Sequence, residues 1–451
     1  MQSLEGPRSK EVVERDSKVF SPADRIRYYS LVVSRAEGSK IWDVDGREYI
    51  DFLSGAAVTN IGHRHPKVVN AIKKQLDRFI HGCSIYMYYE EAVRLAEKLT
   101  EITPGDFPKK VAFGLSGSDS NDGAIKLART ATGRQKIISF IGSYHGTTFG
   151  ALSASAISLK MRRKVGPLLP EFYHVPFPGC YRCYFGHEPP CNMHCLKYIE
   201  TLFDMFIPPD EIAAILFEPI QGDAGIIVPP DSFLPRLQDI CKKHGILFID
   251  EEVQTGFART GKMFAAEHWD LKPDAILLAK AIASGMPLSA VVARADLMNW
   301  EAPLNFFTTQ ANPMSCVASL ATIEVIQEEK LAERAEKLGR KVMEHFNSLK
   351  KEHELIGDVR GKGLLIGVDL VKDGESKEPD RKAALKVCWR SWEHGLVLAT
   401  LGRFGNVLRI APPLTINEEE LEKALEIMDN AISDVEKGKV PDSVLKHMGG
   451  W

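Results

Sequence analysis

The amino-acid sequence predicts an α/β protein, with a mostly parallel central sheet in a large domain and a smaller α+β domain made from the N- and C-terminal segments. Three observations lead there. From about residue 110, short apolar runs alternate with amphipathic stretches, as in "KKVAFGLSGSDSNDGAIKLART", "IAAILFEPIQG", "HGILFIDEEVQTG" and "PDAILLAKAIASG", the signature of buried parallel strands with covering helices. Each run ends in Gly, Ser or Asp, so polar residues gather where such sheets collect ligands. Beyond about residue 330 the rhythm changes to long helices and isolated strands.

In chain order, "GSKIWDVDGREYIDFLSG" reads as a hairpin with "DVDG" at its turn, packing with the smaller domain. The strand and helix repeat follows. "KLAERAEKLGRKVMEHFNSLK" has helical periodicity, "GDVRGKGLLIGVDLV" and "NVLRIAPPLTI" are strand-like, and "EEELEKALEIMDNAISDVEKG" closes the chain as a helix. The expected organisation is an N-terminal segment 1–75 that packs with the small domain, a large domain 76–328 and a C-terminal small domain 329–451.

With 451 residues, 44% of them hydrophobic, the chain can bury a large core. The net charge of −3 is spread without a basic stripe, which argues against nucleic acid and a membrane surface and leaves a small molecule as the default partner. The opening "MQSLEGPRSKEVVERDSK" is charged where a signal peptide needs an apolar core, and no run of about 18 apolar residues occurs, so a cytoplasmic protein is expected. Four of the eight cysteines, Cys180, Cys183, Cys191 and Cys195, crowd into "CYRCYFGHEPPCNMHC" with His187 and His194. That spacing is compatible with disulfides, with a zinc site or with free thiols, in each case stabilising rather than catalytic.

Three motifs carry chemistry. "LSGSDSNDGAIKLAR" runs a strand through Ser116, Gly117 and Ser118 into a helix, and free amides at a helix start make an anion cradle, although such turns are common for structural reasons alone. "LFIDEEVQTG" ends a strand on Asp250, with Gln254 beyond. A buried carboxylate needs a cation or a donor, or else it is a cap or part of a structural ion pair. "AILLAKAIASGMP" places Lys280 straight after an apolar run, where desolvation favours a neutral, nucleophilic amine, the bland alternative being a snorkelling lysine. Together, a phosphate cradle, a buried acid and a buried lysine meet the needs of pyridoxal phosphate.

These motifs, with "EPIQGDAG", "FIDEEVQTGFARTG" and "LLAKAIASGMPLSAVV", resemble the class III aminotransferases of pyridoxal phosphate fold type I over nearly the whole chain. The resemblance implies that Lys280 anchors the cofactor, Asp250 holds the pyridinium nitrogen, Gln254 lies near the ring hydroxyl, Gly117 and Ser118 bind phosphate, and Tyr144 stacks on the ring. It implies that Thr308, in "TTQANP", reaches the phosphate of a neighbouring subunit, hence a homodimer or higher homo-oligomer with shared sites. Two departures matter. "YHGTT" has Thr147 where the family has a carboxylate-binding Arg, and Asp223 replaces the Glu that gates a second arginine, here Arg409 in "NVLRIAPPLTI". Both departures, with "SGSDSNDG" and "GPLLPEFYHVPFPG", are similar to the amino-acid racemase and isoleucine 2-epimerase branch of the family.

The expected activity is therefore racemisation or epimerisation at Cα of neutral or branched-chain amino acids. A racemase returns the proton to Cα from the face opposite its removal and so needs two acid/base groups, here Lys280 and Asp223. To donate, Asp223 must hold a proton near neutral pH. A plain pairing of Asp223 with Arg409 would oppose that role. The alternative is an aminotransferase for 4-aminobutyrate, ornithine or a similar ω-amino compound, which Arg409 favours and Thr147 disfavours. Ala57, Val58 and Tyr86 are candidates to line a pocket for a branched side chain. No resident metal is expected in the site.

Overall fold

The structure is a computed structural model that describes residues 6–450. It divides into two compact units, one formed by the chain up to His65 together with the chain from Lys337 onward, the other by Pro66–Glu336.

Fifteen strands are assigned among the described residues. The N-terminal stretch supplies β1 (Val33–Glu37), β2 (Lys40–Asp43) and β3 (Glu48–Asp51). The Pro66–Glu336 unit supplies β4 (Lys109–Gly114), β5 (Lys136–Ile141), β6 (Phe172–Pro176), β7 (Ile212–Phe217), β8 (Leu247–Glu251), β9 (Ala275–Leu278) and β10 (Ser289–Arg294). The C-terminal stretch supplies β11 (Ile356–Lys362), β12 (Leu365–Leu370), β13 (Leu396–Val397), β14 (Ala399–Leu401) and β15 (Val407–Ile410).

The large unit is built on one seven-stranded sheet in the order β4-β10-β9-β8-β7-β5-β6. Its neighbours from β9 through β6 pair in parallel, whereas β10 runs antiparallel to both β4 and β9. All six residues of β7, "IAAILF", are buried, as a central strand covered on both faces requires.

Register decides which side chains share a face. Leu216 pairs with Ile249, and Ile249 with Ala275, while Glu251 pairs with Leu277. Leu216, Leu247, Ile249, Ala275 and Leu277 form one core cluster with Ala124, Leu127 and Ala128 of the helix Gly117–Thr132, so that helix covers the face bearing residues 247, 249 and 251. Phe217, Asp250 and Ile276 pair across the other face, where the rings of Phe217 and Phe248 lie 4.3 Å apart.

In the other unit the expected hairpin forms. β2 and β3 pair antiparallel, and the Asp43 carboxylate closes the turn by accepting the N–H groups of Asp45 and Arg47. β3 then pairs in parallel with β13, so the N-terminal segment and the C-terminal stretch share a sheet, β1-β2-β3-β13. A second sheet, β11-β12-β15-β14, is antiparallel, and the expected helices form at Leu331–Leu349 and Glu418–Glu436. No helix of the described residues is long and apolar enough to cross a membrane.

Candidate active site

Strands β4 to β9 of the large unit all run in one direction, and the residues beyond their C-terminal ends carry the polar groups. After β4, Ser116 caps the helix Gly117–Thr132, and Asp119 reaches back to accept the N–H groups of Leu115 and Ser116, a reciprocal capping box. The cap fixes the helix start, and the first-turn amides of Gly117 and Ser118 have no carbonyl within the helix to meet. Small residues are needed there. A Cβ on Gly117 would come within 3.1 Å of Val253.

After β5, the loop that carries Tyr144 crosses this helix start. Gly146 sits at φ +127°, where an added Cβ would meet the Ser118 side chain at 2.2 Å, and the Thr147 N–H donates to Ser118 Oγ at 3.1 Å. Thr147 itself is exposed. Burial and the nearby charge of Asp223 hold the Tyr144 phenol above its usual range.

After β7, residues 221–227 close into a compact turn through hydrogen bonds between Gln221 and Ile227 in both directions and from Ile226 N–H to Gly222. Asp223 lies in this turn and is 8% exposed. After β9, Lys280 takes a left-handed backbone conformation, φ +46°, which costs a lysine energy and concentrates at functional sites.

The two adjacent acids at the end of β8 part company. Asp250 faces the Phe217 and Phe248 side of the sheet, is fully buried, and neither carboxylate oxygen has a hydrogen-bond partner. Burial first and the neighbouring Glu252 second push its carboxyl well above the usual carboxylate range. Glu251 faces the Gly117–Thr132 helix. Its Oε2 lies 2.9 Å from His145 Nδ1, its Oε1 accepts the Val253 N–H at 3.1 Å, and the charges of Lys280 and Asp223 both act on it. Burial pushes Glu251 up to about 8 and His145 down to about 4, so the imidazole is neutral. Glu251, and not Asp250, is therefore on the face of the sheet that the Gly117–Thr132 helix covers. Period-two alternation along β8 puts Glu251 on the face of Leu247 and Ile249, but which face the helix start covers is decided by sheet register and helix packing.

The remaining sequence candidates are dispersed. The Gln254 Oε1 is buried with no hydrogen-bond partner, immediately behind Gly222, whose Cβ would meet it at 2.0 Å. Thr308 is exposed between β10 and the helix Pro313–Glu328. Arg409 lies on β15 in the other compact unit and is 6% exposed; the same unit holds the fully buried Ala57, at the end of the helical turn Ser54–Ala57, with Val58 half-buried beside it. Tyr86 is 81% exposed, so it lines no pocket within its own unit.

The cysteine-rich insert follows β6. Cys180, Cys183, Cys191, Cys195, His187 and His194 line one cavity of about 30 Å³, with the two imidazoles stacked at 4.1 Å. All eight cysteines are free thiols, and among the described residues no group of three or more His, Cys, Asp or Glu is set to hold a metal ion.

Residues 22–432 match the family Aminotransferase class-III. The chain belongs to that family. It is 50% identical to a leucine/methionine racemase of Thermococcus litoralis over 446 residues, covering 98% of this chain and 100% of the relative. It is 44% identical to an isoleucine 2-epimerase of Lentilactobacillus buchneri, covering 98% and 99%. Among solved structures, a Bacillus anthracis aminotransferase superposes with a TM-score of 0.86 at 32% identity, covering 94% of this chain and 98% of that one.

The fold is thus fold type I, and the protein is an enzyme that depends on pyridoxal phosphate. The residues present fit that cofactor. Unmet amides stand at a capped helix start, a buried acid lies on the face that helix covers, and the buried Gln254 oxygen beside Gly222 lacks a partner.

Proposed function

We propose that this enzyme is an amino-acid racemase or epimerase that inverts Cα of neutral or branched-chain amino acids with two acid/base groups, Lys280 and Asp223. The observation that carries the reading is their convergence. Lys280 follows β9, Asp223 follows β7, and the charges of both act on the single buried carboxyl of Glu251. Similarity to two relatives named for racemisation and epimerisation, each over nearly the full chain, supports it.

Bound pyridoxal phosphate makes the Cα proton of an amino acid acidic by drawing the resulting charge into its ring. Within this proposal Gly117 and Ser118 hold the phosphate through backbone N–H groups, Tyr144 stacks on the ring and Gln254 lies near the ring hydroxyl. Glu251, rather than Asp250, takes the ring nitrogen, and the neutral His145 orients it. Lys280 anchors the cofactor and accepts the Cα proton on one face. Asp223 delivers a proton from the other, and the reverse reaction exchanges their roles. Thr147 contacts the substrate, and Thr308 serves the phosphate of a second copy in a homodimer of the cytoplasm.

An aminotransferase acting on an ω-amino compound is the second reading, favoured by the structural likeness to an aminotransferase. The test is incubation of the cofactor-loaded protein with L-leucine or L-isoleucine and no 2-oxo acid, followed by chiral chromatography. Catalytic appearance of the inverted amino acid is expected. Amino transfer on addition of a 2-oxo acid, with no inversion, would replace the proposal with the second reading.

A further inference from the structure

The stretch Glu218–Gln221 precedes Asp223 and makes an unusual set of contacts to the loop that carries Tyr144. Glu218, immediately after β7, is 5% exposed and spends both carboxylate oxygens on backbone donors. Oε1 accepts the Tyr144 N–H at 3.0 Å, and Oε2 accepts the Gly222 N–H at 3.0 Å. One carboxylate therefore bridges the residue expected to stack on the ring and the residue next to Asp223.

Gln221 adds a second tether. Its side-chain amide donates to the Ile141 carbonyl at 3.1 Å and to Ser143 Oγ at 3.0 Å, while its backbone closes the turn with Ile227. The loops approach so closely that Gly142, at φ +92°, could not carry a Cβ without meeting Gln221 Oε1 at 2.9 Å. On its other side the turn rests against Gln254.

Buried acids are costly, and a carboxyl group whose two oxygens each meet a main-chain N–H is held in one orientation. We infer that Glu218 and Gln221 are positioning residues which lock the Asp223 turn to the Tyr144 loop, so that the second acid/base group is fixed against the cofactor face. The inference rests on the two-base reading of Asp223. It gives a reason for a fully buried acid that touches no reacting atom. A proton donor misplaced by about 1 Å loses on the order of 10²-fold in rate, whereas Lys280, held by a different strand, is unaffected.

The experiment compares Glu218→Gln, Gln221→Met and Asp223→Asn as cofactor-loaded enzymes with L-leucine in D₂O. Chiral chromatography reads inversion, and mass spectrometry of recovered L-leucine reads Cα proton exchange with retention. Glu218→Gln removes one of the two acceptors, and Gln221→Met keeps shape while cutting the amide bonds. Both are expected to lower the ratio of inversion to exchange by about tenfold, with the absorption maximum of the bound cofactor unchanged. A parallel fall of inversion and exchange would mean a purely structural role and overturn the inference. So would an unchanged ratio in both variants while Asp223→Asn collapses it, and in that case the two-base reading survives. An unchanged ratio in Asp223→Asn overturns both. Should Glu218→Gln not fold, Gln221→Met and Ser143→Ala read the same ratio through the second tether.

Discussion

The strand-end cluster of Tyr144, Glu218, Glu251 and Lys280 and the insert from Cys180 to Cys195 are both dense in reactive side chains, but they are built in opposite ways. The first draws single residues from the ends of strands far apart in sequence and buries its two acids, Glu218 and Glu251, each hydrogen-bonded to backbone, with Tyr144 and Lys280 half-buried. The second packs four thiols and two imidazoles into sixteen consecutive residues of an insert, with Cys191 exposed and the thiols free. Local density of chemical groups in a sequence is therefore a poor guide to a site. Convergence of buried polar groups from separate elements is a better one, because each such group must repay its own desolvation.

The contrast can be broken most directly at Lys280. Lys280→Ala should abolish activity and the visible absorption band of the bound cofactor, and a retained band would move the anchor elsewhere. Asp223→Asn should abolish inversion while leaving Cα proton exchange measurable in D₂O. Full inversion by this variant would falsify the two-base reading. The two neighbouring acids separate next. Glu251→Gln should weaken cofactor affinity by about tenfold or more, measured by titrating cofactor-free protein with pyridoxal phosphate, while Asp250→Asn should leave that affinity within about twofold. Equal losses would place both acids at the ring. At the insert, Cys180→Ser, Cys183→Ser and Cys191→Ser together should leave kcat/KM for inversion within about twofold. A larger loss would make the insert part of the site.

Much of this was legible in the sequence for identifiable reasons. Short apolar runs such as "IAAILF" and "AILLA", bounded by turn residues, read as central strands, and a Ser-Gly-Ser turn before a helix exposes amides whatever the fold. The direction of β10 was not legible, since "SAVVAR" reads the same whether it pairs parallel or antiparallel. Nor was the choice between Asp250 and Glu251. Adjacent strand residues point to opposite faces, and only the register with β7 and β9 and the packing of the Gly117–Thr132 helix say which face holds the cradle. His145 and Glu218 escaped because Glu251 and the Tyr144 amide, 106 and 74 residues away, are brought to them by the sheet alone.

The smallest expected effect distinguishes the two regions by pH. Burial holds Glu218 and Glu251 protonated up to about 8, and Glu252 to about 7, whereas in the unfolded chain glutamates ionise near 4.5. Across that interval the unfolded state binds fewer protons, so these groups destabilise the fold progressively as pH rises. His145 and His174 act in the opposite sense. Burial lowers each to about 4 from 6.5, so their contribution is lost as pH falls through that range, and below 6.5 they offset the carboxyls. From 6.5 to 8 these two histidines are neutral in both states, while Asp250, raised by burial, and His353, raised against its burial by hydrogen bonds to Glu436 and Asp429, act in the same direction as the glutamates. The melting temperature of the cofactor-free protein should therefore decline between pH 6.5 and 8, and Glu218→Gln or Glu251→Gln should flatten the decline. In the insert, burial raises Cys195 from 9 to about 11, so its contribution is kept below pH 9 and lost only as pH rises towards 11. A Cys195→Ser variant should leave the slope between 6.5 and 8 untouched. A changed slope there would mean that the insert and the strand-end acids titrate as one network, and the two regions would no longer be separable.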